Sequence, residues 1–220
     1  LEKNKIYGIQ HSTVRYWDLR YSINIDKSRK EIFNKFNPDY FVVNGEDSLK
    51  KMLNNSYPEE KIKKAEAIRY LDIIKSAKAD VLEKKNLNSI LIVGDYAKQS
   101  NLNISNSLNQ LDPIYFEKFN FTLKEHPLRE MSNLLKFNFK KSNFQIDKLR
   151  LNHDYAIVGN STSAAIDLYL LGFKLIVIVD KNFVNFSPLK NQKNVIFLYN
   201  QNLLSNCIKA FCKVVIICCA

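Results

Sequence analysis

Residues 155–179 (Tyr-Ala-Ile-Val-Gly-Asn-Ser-Thr-Ser-Ala-Ala-Ile-Asp-Leu-Tyr-Leu-Leu-Gly-Phe-Lys-Leu-Ile-Val-Ile-Val) constrain the fold more than any other stretch. They read as a buried strand, a tight turn carrying Ser161, Thr162 and Ser163, an amphipathic helix, a break at Gly172 and a second buried strand. A strand, a helix and a strand in so few residues make a βαβ unit, which implies a parallel sheet. A hydroxyl-rich turn opening a helix directly after a strand is an anion site, because the N–H groups of the first helical turn have no intrahelical partner. Three hydroxyls in a row after Gly159-Asn160 exceed what helix capping alone requires.

The pattern repeats along the chain. Short apolar runs at 6–10, 39–43, 90–93, 119–124 and 195–199 read as strands, and 47–54, 100–111 and the segment from about 201 read as helices. Residues 59–64 suggest a helical turn, 65–70 a strand and 72–85 a linker, with a fresh start at Ser89. Gly94-Asp95, Glu125-His126-Pro127 and Asn160–Ser163 each follow a strand end, so in a parallel sheet they gather on one rim. The expected class is α/β, a Rossmann-like parallel sheet with flanking helices.

Composition narrows the partners. The 220 residues carry a net charge of +11, spread along the chain apart from short clusters such as Lys61, Lys63 and Lys64. That balance favours an anionic substrate or a membrane periphery. No RNP-like, zinc-finger or basic-zipper pattern accompanies it, so nucleic acid is not an expected partner. All four Cys fall at 207, 212, 218 and 219 without metal-ligand spacing, which points to a reducing cytoplasm rather than to disulfides. No DxD-like carboxylate pair stands in the sequence, and no metal is expected. The apolar end, 214–220, is far short of the ~20 residues that a span requires. With Leu1 as its first residue, the chain reads as an internal fragment or a processed product.

Several residues carry candidate chemistry. His126 lies between Glu125 and Pro127, whose ring biases it away from helical backbone and fixes the turn. That turn presents an imidazole, beside Lys124, to a phosphate, or it satisfies local hydrogen bonds only. His11 follows a strand end and suits a general base, a hydrogen-bond donor to an acceptor phosphate or a buried structural histidine. Arg15 and Arg20 flank the only Trp in a packed aromatic loop or at a substrate contact, and Glu46 is a helix-start acid, a hinge residue or a ligand contact. His153, beside Asp154, reads as structural or surface. The G-x-S-x-G, Gly-Lys-Ser/Thr and G-x-G-x-x-G patterns are all absent, which argues against a serine hydrolase, a P-loop and a dinucleotide fingerprint.

Taken in order, these segments resemble a family of bacterial surface-carbohydrate biosynthesis proteins that are similar to GT-B glycosyltransferases. The carrying residues run from Gln10 through Tyr21, then Pro38-Asp39-Tyr40, Val43-Asn44-Gly45-Glu46, 67–71, Gly94-Asp95, Lys124-Glu125-His126-Pro127 and 160–165 through Gly172. Residues 124–127 also resemble the Lys-Pro-His-Pro turn of bacterial sialyltransferases and polysialyltransferases, with Glu125 standing where that turn has its first Pro. The resemblance implies a nucleotide-sugar co-substrate with no other cofactor, and the phosphate of its CMP-linked donor held by His126, Ser161, Thr162 and Ser163. It implies the end of an acceptor-type domain over 1–45, a hinge over 46–88 and a donor-binding domain over 89–220, the C-terminal half of a GT-B architecture. The candidate site is then His11 and His126 for catalysis, with Gly94, Asp95, Lys124, Glu125, Ser161, Thr162, Ser163, Arg15 and Glu46 for substrate. The expected activity is metal-independent transfer of a sugar to a glycan or lipid-linked acceptor, in the cytoplasm or at the inner face of the membrane. A glycerophosphate-type polymer transferase, a nucleotide-sugar epimerase and a non-catalytic nucleotide-binding fragment are the alternatives.

Overall fold

The β-branched and aromatic runs do form strands, all of them paired in parallel. A computed structural model describes residues 4–11, 13–15, 35–79, 88–182 and 184–217. Ser12, residues 16–21 with Trp17 and Arg20, residues 80–85 and Cys218 and Cys219 lie outside the described residues. The chain divides into two units, 1–71 and 72–220.

In the first unit β1 (Tyr7–Ile9), β2 (Tyr40–Val43) and β3 (Ile62–Lys64) form a sheet with β2 central. Helix α1 (Glu46–Asn54) places Met52 in a small core with Val43, Tyr57 and Ile62. Residues 59–64 open as the expected helical turn, but only Glu59–Lys61 is helical, and Ile62–Lys64 pairs with Phe41–Val43. The strand expected over 65–70 is therefore displaced. Helix α2 (Ile68–Ala79) starts there and takes in residues 72–79 of the segment read as a linker. Ile73 and Ala77, four residues apart, fall on one helical face and pack against a core, which gives the segment its helical period.

In the second unit six strands stand in the order β6-β5-β4-β7-β8-β9. They are β4 (Ser89–Val93), β5 (Asn120–Lys124), β6 (Lys140–Lys141), β7 (Tyr155–Gly159), β8 (Lys174–Ile178) and β9 (Val195–Leu198). Between them run α3 (Lys98–Asn109), α4 (Ile114–Lys118), α5 (Ile146–Leu149) and α6 (Ala164–Leu170), and α7 (Leu204–Ile217) follows β9. The mixed α/β class with a parallel, Rossmann-like sheet is as the sequence reads.

Successive strand residues alternate between two cores. Ile90, Ile92, Tyr155, Ile157, Ile176 and Ile178 pack with α3, α4 and α7 on one face. Leu91, Val93, Ala156, Val158, Leu175 and Val177 pack with α2, α5 and α6 on the other. Both faces are covered, so these strands read as continuous apolar runs rather than alternating ones.

The connection from α6 to β8 shows how local sequence sets the frame. Gly172 takes φ +85, its N–H donates to Tyr169 O at 2.9 Å, and Phe173 N–H donates to Leu168 O at 3.0 Å. That is a Schellman stop, with Phe173 and Leu168 closing the same core. Among the described residues no helix is long and apolar enough to cross a membrane.

Candidate functional site

Counted from β4, the sheet of the second unit has strand order 3-2-1-4-5-6, so its direction of winding reverses between β4 and β7. Open parallel sheets bind ligands outside the carboxyl ends of their strands at that reversal. The loops arriving there are Gly94-Asp95 after β4 and Asn160–Ser163 after β7, with Glu125-His126-Pro127 after β5 beside them.

Named contacts hold these loops together. Asp95 is 3% exposed, its Oδ1 accepts Ala97 N–H at 3.2 Å, and its Oδ2 accepts the Ser161 hydroxyl at 2.7 Å, a bond that ties the β4 loop to the β7 loop. Asn101 fixes the other side of Asp95. Its Oδ1 accepts Asp95 N–H at 2.7 Å and its Nδ2 donates to Asp95 O at 2.9 Å. Gly94 N–H donates to Lys124 O at 2.9 Å, and a Cβ at Gly94 would stand 3.1 Å from His126 N, so a side chain here would press the β4 and β5 loops apart. Gly159 fills the same role beneath Asp95, because a Cβ there would overlap Ser100 Oγ and approach Asp95 Oδ2 to 2.7 Å. Ser100 Oγ is buried in that crevice with no hydrogen-bond partner among the described residues.

His126 is half-buried, and its Nδ1 accepts Leu128 N–H at 3.2 Å. An accepting Nδ1 makes Nε2 the protonated nitrogen of the neutral ring. The ring meets Tyr96 edge to face at 5.6 Å between centroids, and Tyr96 is 60% exposed. Arg129 Nε donates to Tyr96 O at 3.0 Å, with the guanidinium 5.7 Å from the Tyr96 ring. The rim therefore offers an imidazole N–H, an exposed aromatic face and a guanidinium on adjoining loops.

The remaining rim residues have defined tasks. Thr162 Oγ1 accepts Ala164 N–H at 3.3 Å, which leaves its own proton for another acceptor, and Ser163 is exposed at the start of α6. Ser161 gives its proton to Asp95 and acts as a brace. Glu125 Oε1 accepts Met131 N–H at 2.8 Å and Ser132 N–H at 2.7 Å, and its Oε2 meets Lys141 Nζ at 3.3 Å. Burial pushes the Glu125 carboxyl up, but these hydrogen bonds outweigh it and pull it down to about 2. Lys124 Nζ donates to Phe144 O at 2.8 Å. In this geometry Lys124 and Glu125 hold the loops that follow them.

His11, Arg15 and Glu46 belong to the first unit. His11 is exposed two residues beyond β1, behind a buried Gln10 whose Oε1 accepts Asn44 N–H at 3.1 Å. Glu46 opens α1 and meets Lys64 Nζ at 3.1 Å in an exposed pair. Arg15 O accepts from Lys51 Nζ at 3.0 Å. His11 and Glu46 thus follow the carboxyl ends of β1 and β2.

His153 is structural, as its position suggested. Its Nδ1–H donates to Leu149 O at 2.8 Å and its Nε2 accepts from Thr122 Oγ1 at 2.9 Å. Burial pushes its imidazole below the usual value, with the Lys140 charge adding to that and the Leu149 bond opposing it. It lines a cleft of about 1020 Å³ along the β5–β6 edge, a region not at the rim.

The sequence reading missed Tyr96, Ser100, Asn101 and Arg129. Tyr96 had a signal, since it directly follows Gly94-Asp95, whereas Arg129 reaches the site only through its backbone bridge with His126.

No family model and no curated protein matches the chain. Among solved structures it is similar to the wall teichoic acid polymerase TagF, at 16% identity and a TM-score of 0.38, over 84% of this chain and 56% of that one. The chain thus spans just over half the length of that neighbour.

Proposed function

We propose that the second unit binds a nucleotide-linked donor on the β4–β5–β7 rim, and that the protein is a metal-independent glycosyltransferase of bacterial surface polysaccharide biosynthesis. The reaction in this reading moves a sugar from a nucleotide-sugar, CMP-linked by preference, to a glycan or lipid-linked acceptor. The observation that carries it is His126, held by Leu128 N–H with its protonated Nε2 available, next to the sheet's point of reversal.

As the bond between sugar and phosphate breaks, negative charge gathers on the departing nucleotide. Fixed donors placed where that charge develops lower the barrier and supply what a divalent cation supplies elsewhere. The His126 Nε2–H and the Thr162 and Ser163 hydroxyls are those donors, and Arg129 adds positive charge. Asp95 is kept out of the phosphate's way by its burial and by the hydrogen bonds it accepts from Ala97 N–H and the Ser161 hydroxyl. Tyr96 provides a face for the base. His11, Arg15 and Glu46 are assigned to the acceptor side, with His11 the candidate base. The net charge of +11 suits an anionic donor and an acceptor at the inner membrane surface.

Thermal unfolding with CMP, UDP and GDP tests the reading. CMP is expected to raise Tm most, and His126→Ala to weaken CMP binding about tenfold, or about 1.4 kcal/mol, with the unliganded Tm unchanged. Equal stabilisation by all three removes the CMP preference, and unchanged affinity in the variant removes His126 from the site.

A further inference from the structure

At the other end of the same rim, β8 and β9 finish beside the first turns of α3 and enclose a cavity of about 280 Å³. Gln99 and Asn103 reach it from α3, Asp180 and Asn182 follow β8, and Tyr199 and Asn200 follow β9. Its side chains are connected in sequence. Gln99 Nε2 donates to Asn103 Oδ1 at 3.2 Å, Asn103 Nδ2 donates to Asp180 Oδ2 at 2.8 Å, and Asn182 N–H donates to Asp180 Oδ1 at 2.8 Å. Asn103 is 7% exposed, so this row is anchored from inside the fold. Each bond also fixes which way an amide points, and so which atoms face a ligand.

We propose that this cavity is a binding site for a neutral polyhydroxylated group, a single sugar ring or a short polyol. The chemistry of the lining selects that class. Amides supply donors and acceptors together, and a hydroxyl is the ligand group that needs both. Each Asp180 oxygen keeps a second lone pair beyond its protein bond, so the carboxylate accepts from two neighbouring hydroxyls of a diol. Lys181 lines the same cavity, so its charge offsets that of Asp180 and the lining suits a ligand with no net charge. Tyr199, 50% exposed, gives a flat face for ring C–H groups, while its hydroxyl is engaged by Asn185 Nδ2 at 3.2 Å. The volume lies just below the roughly 300–1,000 Å³ of drug-sized ligand pockets, which suits one ring and not an oligosaccharide. This site goes beyond the donor-phosphate reading and does not depend on it.

The test is a titration of the isotope-labelled full chain with D-glucose, D-galactose and glycerol, each to about 50 mM, followed by amide NMR. At least one probe is expected to give saturable shifts at Gln99, Asn103, Asp180 and Asn182 with a millimolar Kd. Asp180→Asn is expected to weaken that Kd about tenfold, and the surface substitution Tyr199→Ala about threefold with the remaining spectrum unchanged. No shift with any of the three, or an unchanged Kd in both variants, overturns the proposal. A parallel CMP titration keeps the two readings apart, since shifts at His126 and Ser161 without any polyol response remove this site alone.

Discussion

Gly159→Ala is the substitution that probes the crevice most sharply. The added methyl would overlap Ser100 Oγ, stand 2.7 Å from Asp95 Oδ2 and 3.3 Å from Ser100 Cβ. Ser100 Oγ has no partner to lose and swings aside at little cost. Asp95 Oδ2 is held by Ser161 and its sister oxygen by Ala97, so the carboxylate retreats only by straining charge-assisted bonds. Overpacking of this kind costs about 1–3 kcal/mol. For a domain near this size that is a fall in Tm of roughly 3–10 °C. Ser100→Ala removes a buried hydroxyl that bonds to nothing, and is expected to be neutral or to stabilise by up to about 1 kcal/mol. The double variant should recover part of the loss, with a coupling of about 1 kcal/mol between the positions. Urea unfolding of the four proteins measures the cycle, and the nucleotide affinity of each reports whether the Asp95–Ser161 brace shapes the rim. A Gly159→Ala variant within about 0.5 kcal/mol of the parent, with unaltered nucleotide affinity, would refute the reasoning.

Two further predictions concern pH. Glu125 titrates near 2 in the folded chain against an ordinary 4.5, so its contribution is complete above about pH 4.5 and is lost as pH falls toward 2. Glu125→Gln should lower neutral-pH stability by about 1 kcal/mol, given solvent screening of a partly exposed carboxylate, and flatten that acid limb, and an unchanged limb in urea unfolding at stepped pH contradicts it. His153 has a folded value below its ordinary 6.5, so the fold favours the neutral ring and loses stability as pH drops below about 6.5. His153→Gln should remove the loss of stability below about pH 6.5, and a parent Tm that does not fall as pH is lowered through that value overturns the assignment.

Much of this was legible in the sequence because parallel sheets covered on both faces leave unmistakable apolar runs, as at 90–93, 155–159 and 174–178. The gathering of Gly94, His126 and Ser161 on one side followed from the same periodicity, since every loop after a parallel strand leaves at the same edge. Residues 62–70 were misplaced because three strand residues followed by a half-buried helix offer neither period enough length to declare itself. The division of tasks within the rim was not legible at all. Ser161, Thr162 and Ser163 look alike as letters, and only the 2.7 Å bond to Asp95 separates a brace from a ligand donor. Glu125 likewise reads in the sequence as a substrate contact, and only the structure shows its oxygens meeting the Met131 and Ser132 N–H groups and Lys141 Nζ.

The central claim is that a nucleotide phosphate sits where β4, β5 and β7 end. Amide NMR of the labelled chain titrated with CMP tests it most directly. The account predicts saturable shifts concentrated at Gly94, Asp95, Tyr96, His126 and 161–163, with the Kd they report weakened about tenfold in His126→Ala. Shifts that cluster along the β5–β6 cleft around His153 instead, or an unresponsive rim at saturating CMP, would contradict it.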